Sequence, residues 1–489
     1  MPTIASVSLP EQVQQPGYDR HRLAGRIVHI GFGAFHRAHQ GVMTDRVLNR
    51  HGGDWGICEV SLHSADLLQA LRRQDHLYTV LVKGPDGARA RVIGAVCDSL
   101  VVAEQGIDAL LAKLAEPQVA IVSLTITEKG YCIEPGSGQL DRTHPGVIAD
   151  LAAPHAPGTV PGILVEALNL RYRRGLAPFT VLSCDNIPGN GQVVRASVLG
   201  LAQARDAALG RWIADHASFP ATMVDRIVPA ASEEVLADVA AMLGVRDPCA
   251  IACEPFIQWV IEDHFVAGRP QWERAGAQLV DDVAPFEEMK LRMLNGSHSF
   301  LAWLGYLSGY PHISDCMNDA TLRAAVEKLM INEQAPTLRA IEGVDTGDYA
   351  RQLLTRFANP ALKHRTWQIA MDSSQKLPQR ILDPLRWHLR HGSSAPLLTL
   401  AVAGWMRYAG GTDERGQPID IRDPLQSALA DIAARHEDGP GRVRAWLALR
   451  NVFGQDLPEN PTFVAAVTEA YRSLMQHGAL ATVAGLLND

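Results

Sequence analysis

The run RIVHIGFGAFHRAHQ, residues 26–40, constrains the fold of this chain more than any other stretch. An apolar, β-branched strand runs directly into Gly31-Phe32-Gly33, and a helix start follows. Glycine permits the tight turn and close backbone approach that a pyrophosphate needs, and a helix N-terminus favours its charge. The third glycine of the usual dinucleotide fingerprint is replaced by His36, which predicts looser packing between helix and strand. Cofactor contacts are therefore expected from Gly31, Phe32, Gly33, Ala34, Phe35 and His36. Two acids compete for the adenosine ribose. Glu59 lies inside the second strand, and Asp66 just beyond it, 35 residues after Gly31 where about 20 is usual. Asp66 is the expected partner, and it favours NAD over NADP because a carboxylate repels the extra phosphate.

Further strands are expected over 57–62, 77–82, 91–96, 120–125 and 179–183, with helices over 64–73 and 107–115 between them. This alternation predicts a doubly wound α/β domain of Rossmann type over 1–285. From 286 onward β-branched runs become scarce, and 286–306, 320–331, 397–408, 425–436 and 463–477 carry helical spacing. The expected second domain, 286–489, is mostly α-helical. A net charge of −8 argues against a general nucleic-acid binder. No run approaches the roughly 20 apolar residues of a membrane span. Seven cysteines without a CxxC pair fit reduced thiols, and residues 1–20 lack the basic start and apolar core of a secretory signal. A cytoplasmic protein is expected.

The second chemical signal is FEEMKLRMLNGSHSF, residues 286–300. On a continuous α-helix with Lys290 at zero, Glu287, His298 and Asn295 fall at about 60°, 80° and 140°. Leu291, Leu294 and Leu301 share that arc, so the polar stripe is expected to be buried. A buried lysine suits proton transfer, because desolvation lowers its pKa from about 10.4 toward neutrality. Asn295 can donate its amide to a developing alkoxide, and His298 can orient a substrate hydroxyl. The third signal is SCDNIPGNG, which puts Asn186 beyond the carboxyl end of a strand, where open α/β sheets bind ligands. TITEKGY occupies an equivalent place, so Thr125, Glu128 and Lys129 are expected to line the same crevice. His36 and His39 are three apart, but no HExxH or acid–histidine ligand spacing is present, and no metal is expected.

GFGAFHRAHQ, TITEKGY, SCDNIPGNG and KLRMLNGSHSF, in this order and at these separations, resemble the polyol-specific long-chain dehydrogenases, the mannitol dehydrogenase family. The resemblance covers nearly the whole chain. It implies a metal-independent, NAD-linked dehydrogenase with a Rossmann-type domain followed by a helical one. It assigns the catalytic base to Lys290, the alkoxide-stabilising amides to Asn186 and Asn295, substrate positioning to His298, and a proton path to Glu287. It matches the family's substrate-binding arginine to Arg365. Polyol-active members tend to carry glycine where this chain has Lys129. With runs such as CEPFIQWV and RFANPALKHRTWQIAMDSSQKLPQR, that points to the sugar-acid branch, which interconverts D-mannonate and D-fructuronate. Arg365 and Lys129 are then the candidate partners of the carboxylate. The alternative is a mannitol- or arabinitol-type dehydrogenase acting on a neutral polyol.

Overall fold

The computed structural model describes residues 2–134 and 137–488. Backbone contacts separate two compact units, Met1–Ala284 and Pro285–Asp489. The first is built on a five-stranded parallel sheet in the order Val96–Val101, Trp55–Ser61, Ala24–Ile30, Ile121–Leu124, Thr180–Ser183. Ile27, Ile57 and Ile121 enter one core, while Val28, Ile30, Cys58, Val60, Val122 and Leu124 enter another. Both faces of each strand are thus covered, which is why these runs are apolar on both alternations. The first strand lies in the middle. The chain builds outward to Val96–Val101 and then returns to the other side of it. That reversal opens a crevice at the carboxyl ends of Ala24–Ile30 and Ile121–Leu124.

Two expectations need correction. Tyr78–Gly84 does not join the parallel sheet; it pairs antiparallel with Gly87–Ile93 and parallel with Ile251–Cys253 in a separate sheet. The strand expected over 91–96 is the end of Gly87–Ile93 and the start of Val96–Val101, which belong to different sheets. Gly94 lies at the break, where its N–H donates to Asp45 Oδ1 at 3.1 Å and an added Cβ would meet Pro16 at 2.6 Å. A third sheet joins Gln278–Val280, Gln258–Glu262 and Thr222–Asp225. Strands of three to five residues are too short to display a period.

The second unit carries helices and no named strand among its described residues. Ser297–Leu307 and Pro396–Ala409 pack together, with buried Leu304 and Trp303 against Gly404. Three stretches widen into π turns: Lys290–Gly296, Leu329–Gln334 and Pro378–Leu382. They meet at Gly296, where a Cβ would lie 2.7 Å from Gln334 Nε2 and 2.8 Å from the Arg380 carbonyl oxygen. Among the described residues no helix is long and apolar enough to cross a membrane.

Candidate active site

In the first unit the crevice has a volume of about 450 Å³ and is lined by the ends of three parallel strands, including Gly31, Ser61, His63 and Thr125. Gly31 has φ +113°, and an added Cβ would lie 2.1 Å from the Thr125 carbonyl oxygen. Only glycine lets these two strand ends approach so closely. The Thr125 hydroxyl donates to the Gly31 carbonyl at 2.7 Å and locks the turn. Gly33 is exposed and opens the helix Ala34–Ala38, with Ala34 and Phe35 half-buried. This cradle fits a dinucleotide phosphate. Phe32 points the other way, its ring buried edge-on against Tyr78 at 5.8 Å.

His36 is fully buried beneath the turn. Its ring stacks on His29 at 3.4 Å, and its Nε2 lies 2.6 Å from Glu59 Oε1. The helix is therefore not loosely packed on its strand; an imidazole stack fills the space that a third glycine would leave. Burial pushes Glu59 up to about 8 and His29 and His36 down to about 3, so the pair is neutral acid and neutral imidazole near pH 7. These three residues are also the one grouping of possible metal ligands among the described residues. Their rings lie 12° apart in stacked planes, so their in-plane lone pairs do not converge on one ion. Glu59 is thereby removed from the crevice. Asp66 is exposed at the start of the helix Asp66–Arg73 and is not among the crevice-lining residues.

Asp185 organises the loops beyond the fourth and fifth strands. Its carboxylate accepts from the Ile126 and Thr127 amides at 3.0 and 2.9 Å and from the Tyr131 hydroxyl at 2.5 Å. It pins TITEKGY to SCDNIPGNG and leaves the adjacent Asn186 exposed. The sequence reading missed Asp185, although an acid beside the asparagine was the visible signal. Glu128 and Lys129 are exposed on the short turn Glu128–Tyr131.

In the second unit Lys290, Asn295 and His298 are 6%, 8% and 5% exposed. Lys290 opens the π turn and Asn295 nearly closes it. Backbone N–H groups there bond five residues back rather than four, so these two side chains are carried onto neighbouring turns. The angles assumed for a continuous α-helix do not hold across this stretch. Glu287 is half-buried, three residues before Lys290. Asn295 Oδ1 and His298 Nε2 are buried without a hydrogen-bond partner. The His298 ring stacks on Phe357 at 4.7 Å and meets His364 edge-on at 4.8 Å. Burial, then the charges of His364, Arg380, Arg356 and Lys376, hold His298 well below its usual range, so it is a neutral imidazole.

Arg365 is not part of this group. It is exposed ahead of the helix Thr366–Ile369, and its backbone bridges to His312. That bridge fixes the neighbouring His364, whose ring reaches His298. Lys376, which the sequence reading passed over, donates to the Ile369 carbonyl at 3.2 Å and to the Met371 carbonyl. Burial and then Arg380 pull it down to about 8.

Residues 25–274 match the family model for the mannitol dehydrogenase Rossmann domain, and residues 282–475 match that for the mannitol dehydrogenase C-terminal domain. The chain is 60% identical to the uncharacterized oxidoreductase YeiQ of Escherichia coli, over 98% of each chain. It is 54% identical to the D-mannonate oxidoreductase of the same organism, over 99% of this chain and 100% of that one. Its fold is similar to the Pseudomonas fluorescens mannitol 2-dehydrogenase, solved as a ternary complex with NAD and D-mannitol. The TM-score is 0.88, at 39% identity over 98% of each chain.

Proposed function

The chain belongs to the mannitol dehydrogenase family of oxidoreductases, and on that premise we propose that it interconverts D-mannonate and D-fructuronate with NAD. NAD supplies the hydride acceptor, and the Gly31–Thr125 cradle with the crevice above it suits its pyrophosphate. In the oxidation Lys290 takes the hydroxyl proton, and Glu287 passes it toward solvent. Asn295 donates its amide to the forming alkoxide, a charge that preformed donors stabilise strongly away from water. Neutral His298 positions a substrate hydroxyl rather than acting as an acid. Lys290 serves as the base, so the reading gives a metal no task.

One observation favours a sugar acid over a neutral polyol. Of the groups that lower His298, Arg380, Arg356 and Lys376 are cationic, while burial holds His364 at about 4 and so neutral. A polyol gains nothing from such a field, whereas a carboxylate does. The likeness to a mannitol 2-dehydrogenase supports the alternative. Steady-state kcat/KM on D-mannonate and D-mannitol, each with NAD and NADP, decides between them. The expected order is mannonate over mannitol and NAD over NADP, with activity retained in a chelator. Preference for mannitol overturns the substrate, and preference for NADP overturns the cofactor.

A further inference from the structure

We propose that Arg380 receives the substrate carboxylate, its guanidinium fork holding the acid end of the sugar acid in the helical unit. This rests on the sugar-acid reading above and names the residue that enforces it. Arg380 lies in the π turn Pro378–Leu382 and is 9% exposed, about as buried as Asn295. Its one side-chain hydrogen bond among the described residues runs from Nη1 to Ser299 Oγ at 3.1 Å, and its buried Nε has no partner.

Other buried arginines of this protein are treated differently. Arg171 donates to the carbonyls of Leu114, Glu116 and Ala177. Arg226 donates to those of Ala38 and Glu254, and Arg37 to those of Gly33 and Cys249. Each spreads its charge over backbone acceptors. Arg380 has five N–H donors and gives one to a hydroxyl, with no carboxylate in ion-pair reach among the described residues. A buried guanidinium left so open is poised for an incoming acceptor, and a carboxylate matches its planar fork bidentately.

Its position fits the task. Ser299 follows His298 and lies four residues beyond Asn295, so Arg380 is anchored to the helix that presents both. Its charge acts on His298 and on Lys376, which adds a second cation to the same side. Arg365 and Lys129 are both exposed.

The test compares Arg380→Met and Arg380→Lys with the parent on D-mannonate and D-mannitol. The readout is the ratio of kcat/KM for the two substrates, which a merely structural role would lower on both sides alike. Loss of a charge-assisted bidentate contact is expected to cut the mannonate-to-mannitol ratio about 10–150-fold in Arg380→Met, chiefly through the mannonate KM. Arg380→Lys keeps the charge without the fork and is expected to fall between. A parent that prefers mannitol sinks the sugar-acid reading itself. A parent that prefers mannonate, with an unchanged ratio in both variants, overturns the role of Arg380 alone. If Arg380→Met is inactive on both substrates, the ratio in Arg380→Lys decides, and a parental ratio there overturns the proposal.

Discussion

His36 Nε2 lies 2.6 Å from the Glu59 carboxyl oxygen, and neither side chain reaches solvent. The pair ties the first helix of the dinucleotide turn to the second strand, and His29 stacks on it from the first strand. Three elements around the Gly31 cradle therefore share one dry polar contact. Placing two charges there would cost more in desolvation than their attraction returns, so a single proton on Glu59 is the stable arrangement.

That protonation state has a measurable consequence. Glu59 is held at about 8 when folded, against about 4.5 unfolded, so between those values the folded chain binds the extra proton and stability falls as pH rises. His29 and His36, held at about 3, act oppositely, and their contribution is lost as pH falls below about 6.5. Glu59→Gln keeps the shape and a donor while removing the titration. Its melting temperature at pH 6.5 is expected to stay near the parent's. Between pH 6.5 and 8 it should lose about 2 kcal/mol less than the parent. Thermal melts across this range check both statements, and a large loss at pH 6.5 would mean an ion pair instead.

Gly31→Ala tests the cradle. A Cβ at φ +113° meets the Thr125 carbonyl oxygen at 2.1 Å, and backbone cannot swing aside as a side chain can. Strain of about 1–3 kcal/mol is expected, read as a lower melting temperature. Because the turn must open to relieve it, NADH affinity by titration is expected to weaken at least as clearly. Parental NADH affinity would show that the turn does not hold the cofactor.

In the helical unit the corresponding position is Gly296, where three π turns touch. A methyl group there pushes against the Arg380 carbonyl, which is backbone, and against the buried Gln334 amide. Asn295 is the preceding residue and must move with it. A misplacement approaching 1 Å costs about 10²-fold in catalysis, so Gly296→Ala is expected to lower kcat by that order and leave NADH binding intact. Stopped-flow single turnovers with a parallel NADH titration separate the two. A normal kcat would mean the π turns tolerate the shift.

The sequence made the central sheet legible because Ile27, Val28 and Ile30 are apolar on both faces, as a covered parallel strand must be. The cradle was legible because Gly31 has one physical use at a strand end. Glu59 and His36 were not, since a buried acid–imidazole pair leaves no trace in spacing; each looked like a crevice residue. The π turns escaped because a fixed 100° step hides the widening between Lys290 and Gly296, even though Lys290, Asn295 and His298 were singled out by residue type. Arg365 and Arg380 look alike in the sequence. Only packing separates the exposed one from the one bonded to Ser299 beside His298.

Lys290 carries the heaviest chemical task in this reading, and its removal is the sharpest test. It is buried at the first residue of the π turn, with Asn295 carried toward it and half-buried Glu287 three residues before it. A base so placed moves a proton without exposing the alkoxide to water. General-base loss costs about 10²–10⁴-fold, and Lys290→Ala also loses a cation beside the forming negative charge. Turnover is expected to fall by at least that factor, with NADH affinity nearly unchanged because the cradle lies in the other unit. Activity within tenfold of the parent would place the base elsewhere.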